Sequence, residues 1–322
     1  MTDTMRAIVL DAPGPPSALV ERRLPIPGPK PGEVLIKVTA FGLNRSELHL
    51  RLGLAGNASF PRVPGIEATG VVASAPGGEF AEGQQVMAMM GGMGRSFDGG
   101  YAEYTLVPVA QVIPFRSDRD PAELGAIPET LQTAYGSLTV GLDAKAGQSI
   151  LIRGGTSSVG LTAVVLAKHW GLTVFATTRS EAKAGALTAA GADHVLIDDG
   201  AVAGQVRSIQ RDGVDGALEL VGTPTLPDTL RAVRVHGTVC FSGLLSDEWI
   251  VKDFYPIDYL PAGVRLTAYS GDAANLPAAA LQEFLDAGLR VPVAKVYPMD
   301  RIAEAHDDME NNRVAGKLVV TV

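Results

Sequence analysis

Cysteine is almost missing from this 322-residue chain, in which Cys240 is the single one. One thiol excludes an intrachain disulfide and any zinc site built from several thiolates. Concentrated charge is missing too: the formal net charge is −8, and no block of about five like charges occurs. Nucleic acid or an anionic membrane would need a basic face, which the sequence does not offer. No apolar run approaches the roughly 18 residues that span a bilayer. The stretch MTDTMRAIVL lacks the charged start and long apolar run of a secretion signal, so a cytoplasmic location is expected. What is present is ordinary for a globular protein: 46% hydrophobic and 19% charged residues, at a length that suits two domains.

Two textures alternate along the chain. The first 115 or so residues are rich in Gly and Pro and carry short β-branched runs. EVLIKVTAFG (33–42), TGVVASA (69–75), QQVMAMM (84–90) and YAEYTLVP (101–108) are examples, and they predict an irregular, barrel-like β domain. From Asp120 onward, apolar strands alternate with helical patterns. Strands are expected at 148–153, 172–177, 194–197, 214–220, 236–241 and 264–269. Helices are expected near 158–170, 181–190, 201–211 and 225–234. That alternation predicts a doubly wound parallel sheet. After 270 come two amphipathic helices (276–289 and 300–311) and a closing strand, GKLVVTV, so the chain is expected to return to its first domain. The expected division is 1–119 with 270–322, and 120–269.

The strongest local signal is SILIRGGTSSVGLTAVVLAKHWGLTVFATTRSEAK, an apolar strand, a Gly-rich turn and a helix. Such a turn lets backbone N–H groups approach a phosphate at a helix N-terminus. Gly155 and Gly160 stand at the first and last fingerprint positions, Ser157 replaces the middle glycine, and Thr156, Ser158 and Val159 complete the turn. The second strand ends in ATTRS without the acid that usually accepts from an NAD ribose. Thr178, Arg179, Ser180 and Lys183 offer hydroxyls and cations instead, a set suited to a ribose 2′-phosphate and hence to NADPH. The plainer alternative is a solvated basic pair at a helix start, where cations oppose the helix dipole. Asp198 and Asp199 stand near the end of the third strand. They would disfavour a phosphate unless they face away or pair with Arg179.

Taken together, GLNRSELHLR, PGIEATG, GGYAEYTLVP, LQTAYGSL, GGTSSVGLTAVVLAK, AAGADHVLID and the terminal GKLVV resemble the medium-chain dehydrogenase/reductases over nearly the whole length. The likeness is to their zinc-free quinone oxidoreductase (zeta-crystallin-like) branch. It implies an α/β fold, with a GroES-like β-rich catalytic domain plus a Rossmann domain, and an active site in the cleft between them. It also implies a homodimer joined through the Rossmann sheet edge, near VRLTAYS (264–270). The positions that hold catalytic zinc in alcohol dehydrogenases of this superfamily carry Asn44, Ile66 and Glu129 here. Ile66 cannot ligate and an amide ligates poorly. The structural-zinc loop has no counterpart, because 75–100 contains no Cys. Without a Lewis acid an unactivated carbonyl is hard to polarise, so the expected acceptor is already electrophilic: a quinone or an activated enone.

The resemblance also implies roles for single residues. Asn44 and Thr133 match positions close to the nicotinamide, and each has a plainer alternative as a turn-forming Asn or a helical Thr bonded to its own backbone. His49 matches a proton-relay position, or is a histidine on the surface of an amphipathic helix. Val221, Phe241 and Ser242 follow the ends of the fourth and fifth Rossmann strands, where ligands bind. Lys317 is either a basic residue of the cleft or a surface lysine at a strand start. Glu47, Glu67 and Glu129 are expected to cluster at the emptied metal frame, raising one carboxyl. Glu67 is expected to bond backbone or pair with Arg45 or Arg51. The loop MMGGMGRSFDGG (89–100) is expected to form an adaptable apolar wall for the substrate.

Three functions follow in order. The first is an NADPH-dependent quinone oxidoreductase. The second is an enone or enoyl reductase, which needs a proton donor such as Tyr101, Tyr255 or Tyr259. The third is a nucleotide-binding, crystallin-like protein with little turnover.

Overall fold

A computed structural model describes residues 3–56 and 58–322 of the chain. It divides into two compact units. One takes the chain to Gln132 and again from Gly271 to Val322; the other is Thr133–Ser270.

In the first unit, β1 (Thr4–Leu10) and β2 (Leu19–Pro25) form an antiparallel hairpin. Then follow β3 (Glu33–Gly42), α1 (Arg45–Arg51), β4 (Glu67–Ser74), β5 (Gln85–Met89), β6 (Tyr104–Pro108), β7 (Val112–Pro114) and α2 (Pro121–Gly125), and α3 (Pro128–Gly136) begins in this unit and ends in the other. The mixed α/β second unit contains β8 (Ser149–Arg153), α4 (Ser158–His169), β9 (Thr173–Thr178), α5 (Ala184–Ala190), β10 (His194–Ile197) and α6 (Val202–Ile209). It continues through β11 (Val214–Glu219), α7 (Leu226–Ala232), β12 (Val233–Phe241), α8 (Pro256–Tyr259) and β13 (Arg265–Ala268). Finally α9 (Ala278–Asp286), β14 (Val293–Pro298), α10 (Ile302–Glu310) and β15 (Lys317–Thr321) return to the first unit.

The first unit's large sheet runs β14-β15-β3-β4-β5-β7, with β6 on β3. Its strands pair antiparallel except β14 with β15, and β3, β4, β5 and β15 are buried along most of their length, whereas β6 alternates buried and half-buried or exposed residues. Phe41, Ile8, Leu10, Met93 and Tyr101 lie in the unit's core, and the Phe41 and Tyr101 rings stack at 4.5 Å. Each fully buried aliphatic or Phe side chain contributes about 1.5–3 kcal/mol. The loop after β5 departs from expectation. Met89 and Met93 are completely buried, and the Asp98 carboxylate ties the loop to the Val63 N–H. Those methionines fill the core and do not form a substrate wall.

The second unit's sheet runs β10-β9-β8-β11-β12-β13, every neighbouring pair parallel. Strand order reverses between β8 and β11, the place where doubly wound sheets bind ligands. Helix α4 forms because Ser157 caps it, accepting from the Gly160 N–H at 3.0 Å, while Lys168 and His169 close its last turn. It buries Leu161, Ala163, Val164 and Ala167 against the sheet. Loss of such a cap costs about 1 kcal/mol. The segment expected as one helix at 181–190 is a 3-10 turn, Glu181–Lys183, running into α5.

Candidate functional site

The first unit collects its reactive side chains around a buried cation. Strand β3 ends at Gly42, and Asn44 precedes α1. The Lys317 ammonium, at the start of β15, donates to the Asn44 carbonyl oxygen at 2.5 Å and lies 2.7 Å from Glu67 Oε1. Asn44 Nδ2 donates to the same Glu67 oxygen at 2.9 Å, and the other oxygen accepts from the Glu129 N–H at 2.7 Å. Glu129 Oε2 lies 3.6 Å from the ammonium. Burial alone lowers the Lys317 ammonium, but Glu67 and Glu129 outweigh it and hold it above the usual lysine range. The crossing requires Gly42: a Cβ there would lie 2.2 Å from Lys317 Cε and 2.5 Å from Glu67 Oε1.

Glu67 does bond backbone, at the Glu129 N–H, as expected, but its cation is neither Arg45 nor Arg51, and one of the two alternatives for Lys317 falls away. Lys317 is no surface lysine, being 1% exposed. Glu67 pairs with Lys317; Arg45 bonds Asn312, and Arg51 bonds Glu310 and the Gly14 carbonyl. The carboxylate cluster does form. Glu47 accepts from the Asn44 and Ile66 N–H groups, both at 2.7 Å. Burial, reinforced by the Glu67 charge, pushes its carboxyl up to about 7.

His49 is buried on α1 and is not a surface histidine. Tyr101 is completely buried, with its hydroxyl 3.1 Å from His306 Nε2. That removes Tyr101 from the exposed proton donors. Tyr255 is exposed, and the buried Tyr259 hydroxyl has no hydrogen-bond partner among the described residues. Thr133 is half-buried on α3.

In the second unit the turn 154–160 joins β8 to α4 as the sequence predicts. A Cβ on Gly160 would lie 2.6 Å from the Gly154 carbonyl oxygen, so helix and turn approach too closely for any other residue. Gly155, Thr156, Ser157, Ser158 and Val159 present the turn, and Ser157 Oγ donates to the Gly154 carbonyl. Thr178 ends β9 and its hydroxyl exchanges bonds with the Ser180 backbone. Arg179 is exposed; Ser180 and Lys183 are half-buried. Val221, Phe241 and Ser242 lie half-buried just past the β11 and β12 ends or at them, and Ser242 Oγ bonds Ser137 Oγ at 2.8 Å.

The residue that sequence reasoning missed is Arg153, the last residue of β8. It is completely buried and bonds Asp198, Asp228, the Thr225 carbonyl and the Thr229 hydroxyl. Its signal was present: an arginine closing the apolar run SILIR cannot be buried without acids nearby. Asp198 is therefore paired with Arg153 and not with Arg179.

A catalytic metal does not fit the first unit's cluster. The Asn44 oxygen that would have to ligate accepts from Lys317, Ile66 offers only hydrocarbon, and the ammonium would repel a divalent cation. A nicotinamide coenzyme fits the second unit, whose turn, helix N-terminus and exposed cation match its phosphates.

Comparison with known proteins agrees with this architecture. Residues 30–117 match the alcohol dehydrogenase GroES-like domain, and residues 190–320 match a zinc-binding dehydrogenase domain. A quinone oxidoreductase of Lama guanicoe is 29% identical over 327 residues, covering 98% of this chain and 97% of its own. The crystal structure of AibC shares 30% identity with a TM-score of 0.90, over 100% of this chain and 96% of its own. A mycobacterial structure complexed with NADPH shares 27% identity with a TM-score of 0.87, over 99% of this chain and 100% of its own. Fold and turn together define an oxidoreductase that works with a nicotinamide coenzyme. The chain belongs to the medium-chain dehydrogenase/reductase superfamily, in its quinone oxidoreductase branch.

Proposed function

We propose that this protein transfers hydride from NADPH to quinones, or to similarly activated carbonyl acceptors, without a metal. The observation that carries the reading is the buried Lys317 ammonium, held by Glu67 and set against Asn44 and Glu129, two of the positions matched to the zinc frame. A site that supplies no Lewis acid needs an acceptor that is already electrophilic.

The coenzyme supplies the hydride, and the protein contributes binding, orientation and exclusion of water. The 154–160 turn and the α4 N-terminus would hold the pyrophosphate, with Gly155 and Ser157 to Gly160 closest. Arg179 and Lys183, with Thr178 and Ser180, would take the 2′-phosphate. Val221, Phe241 and Ser242 would border the nicotinamide half. Asn44 and Thr133 would touch nicotinamide or acceptor. Lys317 fixes which way the Asn44 amide faces, because both amide ends are already bonded. His49 is the candidate acid, though a reduced quinone can also take its proton from water. A homodimer belongs to the same reading: β13 is a sheet edge with Leu266 exposed, and exposed edges invite pairing with a second copy.

One observation favours the second reading, an enone reductase. The unpartnered Tyr259 hydroxyl is a proton donor in waiting. The test follows NADPH and NADH absorbance with a para-quinone, a fused ortho-quinone and an acyclic enone, with a no-acceptor control. Fast NADPH loss with a quinone is expected. Turnover with the enone alone, abolished by Tyr259→Phe, would replace the first reading by the second.

A further inference from the structure

Arg153 closes β8 just before the glycine turn. Both oxygens of the Asp198 carboxylate accept from it, at 2.7 and 2.8 Å, and Asp228 accepts at 2.8 Å. Burial opposes so enclosed a guanidinium, but these acids and Glu219 more than offset it and raise its pKa.

The β9–β10 register decides what Asp198 would otherwise do. Ile197 pairs with Thr178, and the Asp198 N–H donates to the Thr178 carbonyl at 2.8 Å. Asp198 thus leaves β10 beside Arg179, which leaves β9 one residue after Thr178. Neighbouring strands lie about 4.8 Å apart, within easy reach of an ion pair. No such pair forms. The Asp198 side chain is 8% exposed and committed to Arg153. Arg179 is exposed, with no ion pair among the described residues. The adjacent Asp199 is occupied by the Ala201 N–H and by Gln205 Nε2. Glu181, on the turn after Arg179, is exposed to water.

We propose that Arg153 is a specificity-determining residue for the coenzyme: by holding Asp198 it keeps Arg179 available for a ribose 2′-phosphate. The inference rests on the NADPH reading above. Arg153 is a positioning residue here, acting through Asp198 and touching no coenzyme atom.

Calorimetric titration of the full chain with NADPH and NADH tests it. Wild type binding NADPH more tightly than NADH, with the difference erased by Arg179→Ala, supports the underlying reading; equal binding of both by wild type defeats that reading before Arg153 enters. Asp198→Asn should change the NADPH dissociation constant less than about twofold, because Arg153 already masks the charge. Arg153→Lys keeps the charge and loses the fork. It should weaken NADPH about fivefold and leave NADH unchanged, and Arg153→Lys/Asp198→Asn should restore NADPH. Fivefold tightening of NADPH by Asp198→Asn would show that this carboxylate competes for Arg179, and would overturn the proposal. Equal weakening of both coenzymes by Arg153→Lys would reduce Arg153 to a structural part. If Arg153→Lys does not fold, the Asp198→Asn result still decides.

Discussion

Lys317 in the first unit and Arg153 in the second are both completely buried cations, and the two solve the same problem differently. Lys317 begins β15 in the first unit; Arg153 ends β8 in the second. Removing a charge from water costs several kcal/mol, and carboxylates must offset it. Arg153 uses its planar fork to join Asp198, Asp228 and the α7 start, a rigid frame between strand end and helix. Lys317 is a point charge with three donors. It gathers Glu67, Asn44 and Glu129, groups from three different elements. The arginine builds framework, whereas the lysine orients the Asn44 amide.

That contrast can be broken at either end. The largest effects come from deleting the cations. Arg153→Met strands two carboxylates and Lys317→Met strands Glu67, and each should cost about 3–5 kcal/mol of stability by urea unfolding. Adding Glu67→Gln to Lys317→Met should return much of the loss. Quinone reduction should stay low, because Asn44 loses the donor to its oxygen. Recovery of both together would make Lys317 merely structural.

Next comes pH. The folded chain holds the Glu47 proton to about 7 against 4.5 ordinarily, so its contribution falls as pH rises between those values, by on the order of 3 kcal/mol. His306 has the opposite sign. Burial, helped by Arg51, lowers it from 6.5 to about 3, so stability is lost as pH falls through that window. The two oppose each other between about 4.5 and 6.5. Glu47→Gln should therefore unmask a steeper acid loss in urea midpoints measured across this range; an unaltered profile would contradict the assignment.

Smaller again is Gly42→Ala. Its methyl would displace the Lys317–Glu67 crossing at a cost of about 1–3 kcal/mol, with a lower kcat at little change in coenzyme KM. Smallest for stability, within about 0.5 kcal/mol, is Arg179→Ala with Lys183→Ala. Its effect should appear in the KM for NADPH and not in that for NADH. Equal shifts for both coenzymes would remove the 2′-phosphate assignment.

The parallel sheet was legible because buried strands and amphipathic helices leave different periods in sequence. The glycine turn and the Thr178–Lys183 cations were legible because their spacing is local. What escaped was non-local. Lys317 looks like a lysine opening a strand until β15 lies beside β3 and Glu67 comes within reach. Arg153 lies 45 residues from Asp198 and 75 from Asp228, so no window of sequence shows the trio. The β1–β2 hairpin escaped because Pro and Gly crowd its connection. Met89 and Met93 were misread because composition does not tell inward from outward.

The proposal of metal-free hydride transfer to a quinone rests on the buried ammonium beside positions that hold zinc in the superfamily's alcohol dehydrogenases. The most direct measurement is the rate of NADPH oxidation with a para-quinone before and after exhaustive chelation, and again after zinc is added back. An unchanged rate through all three is expected. A rate lost on chelation and restored by zinc would contradict the account.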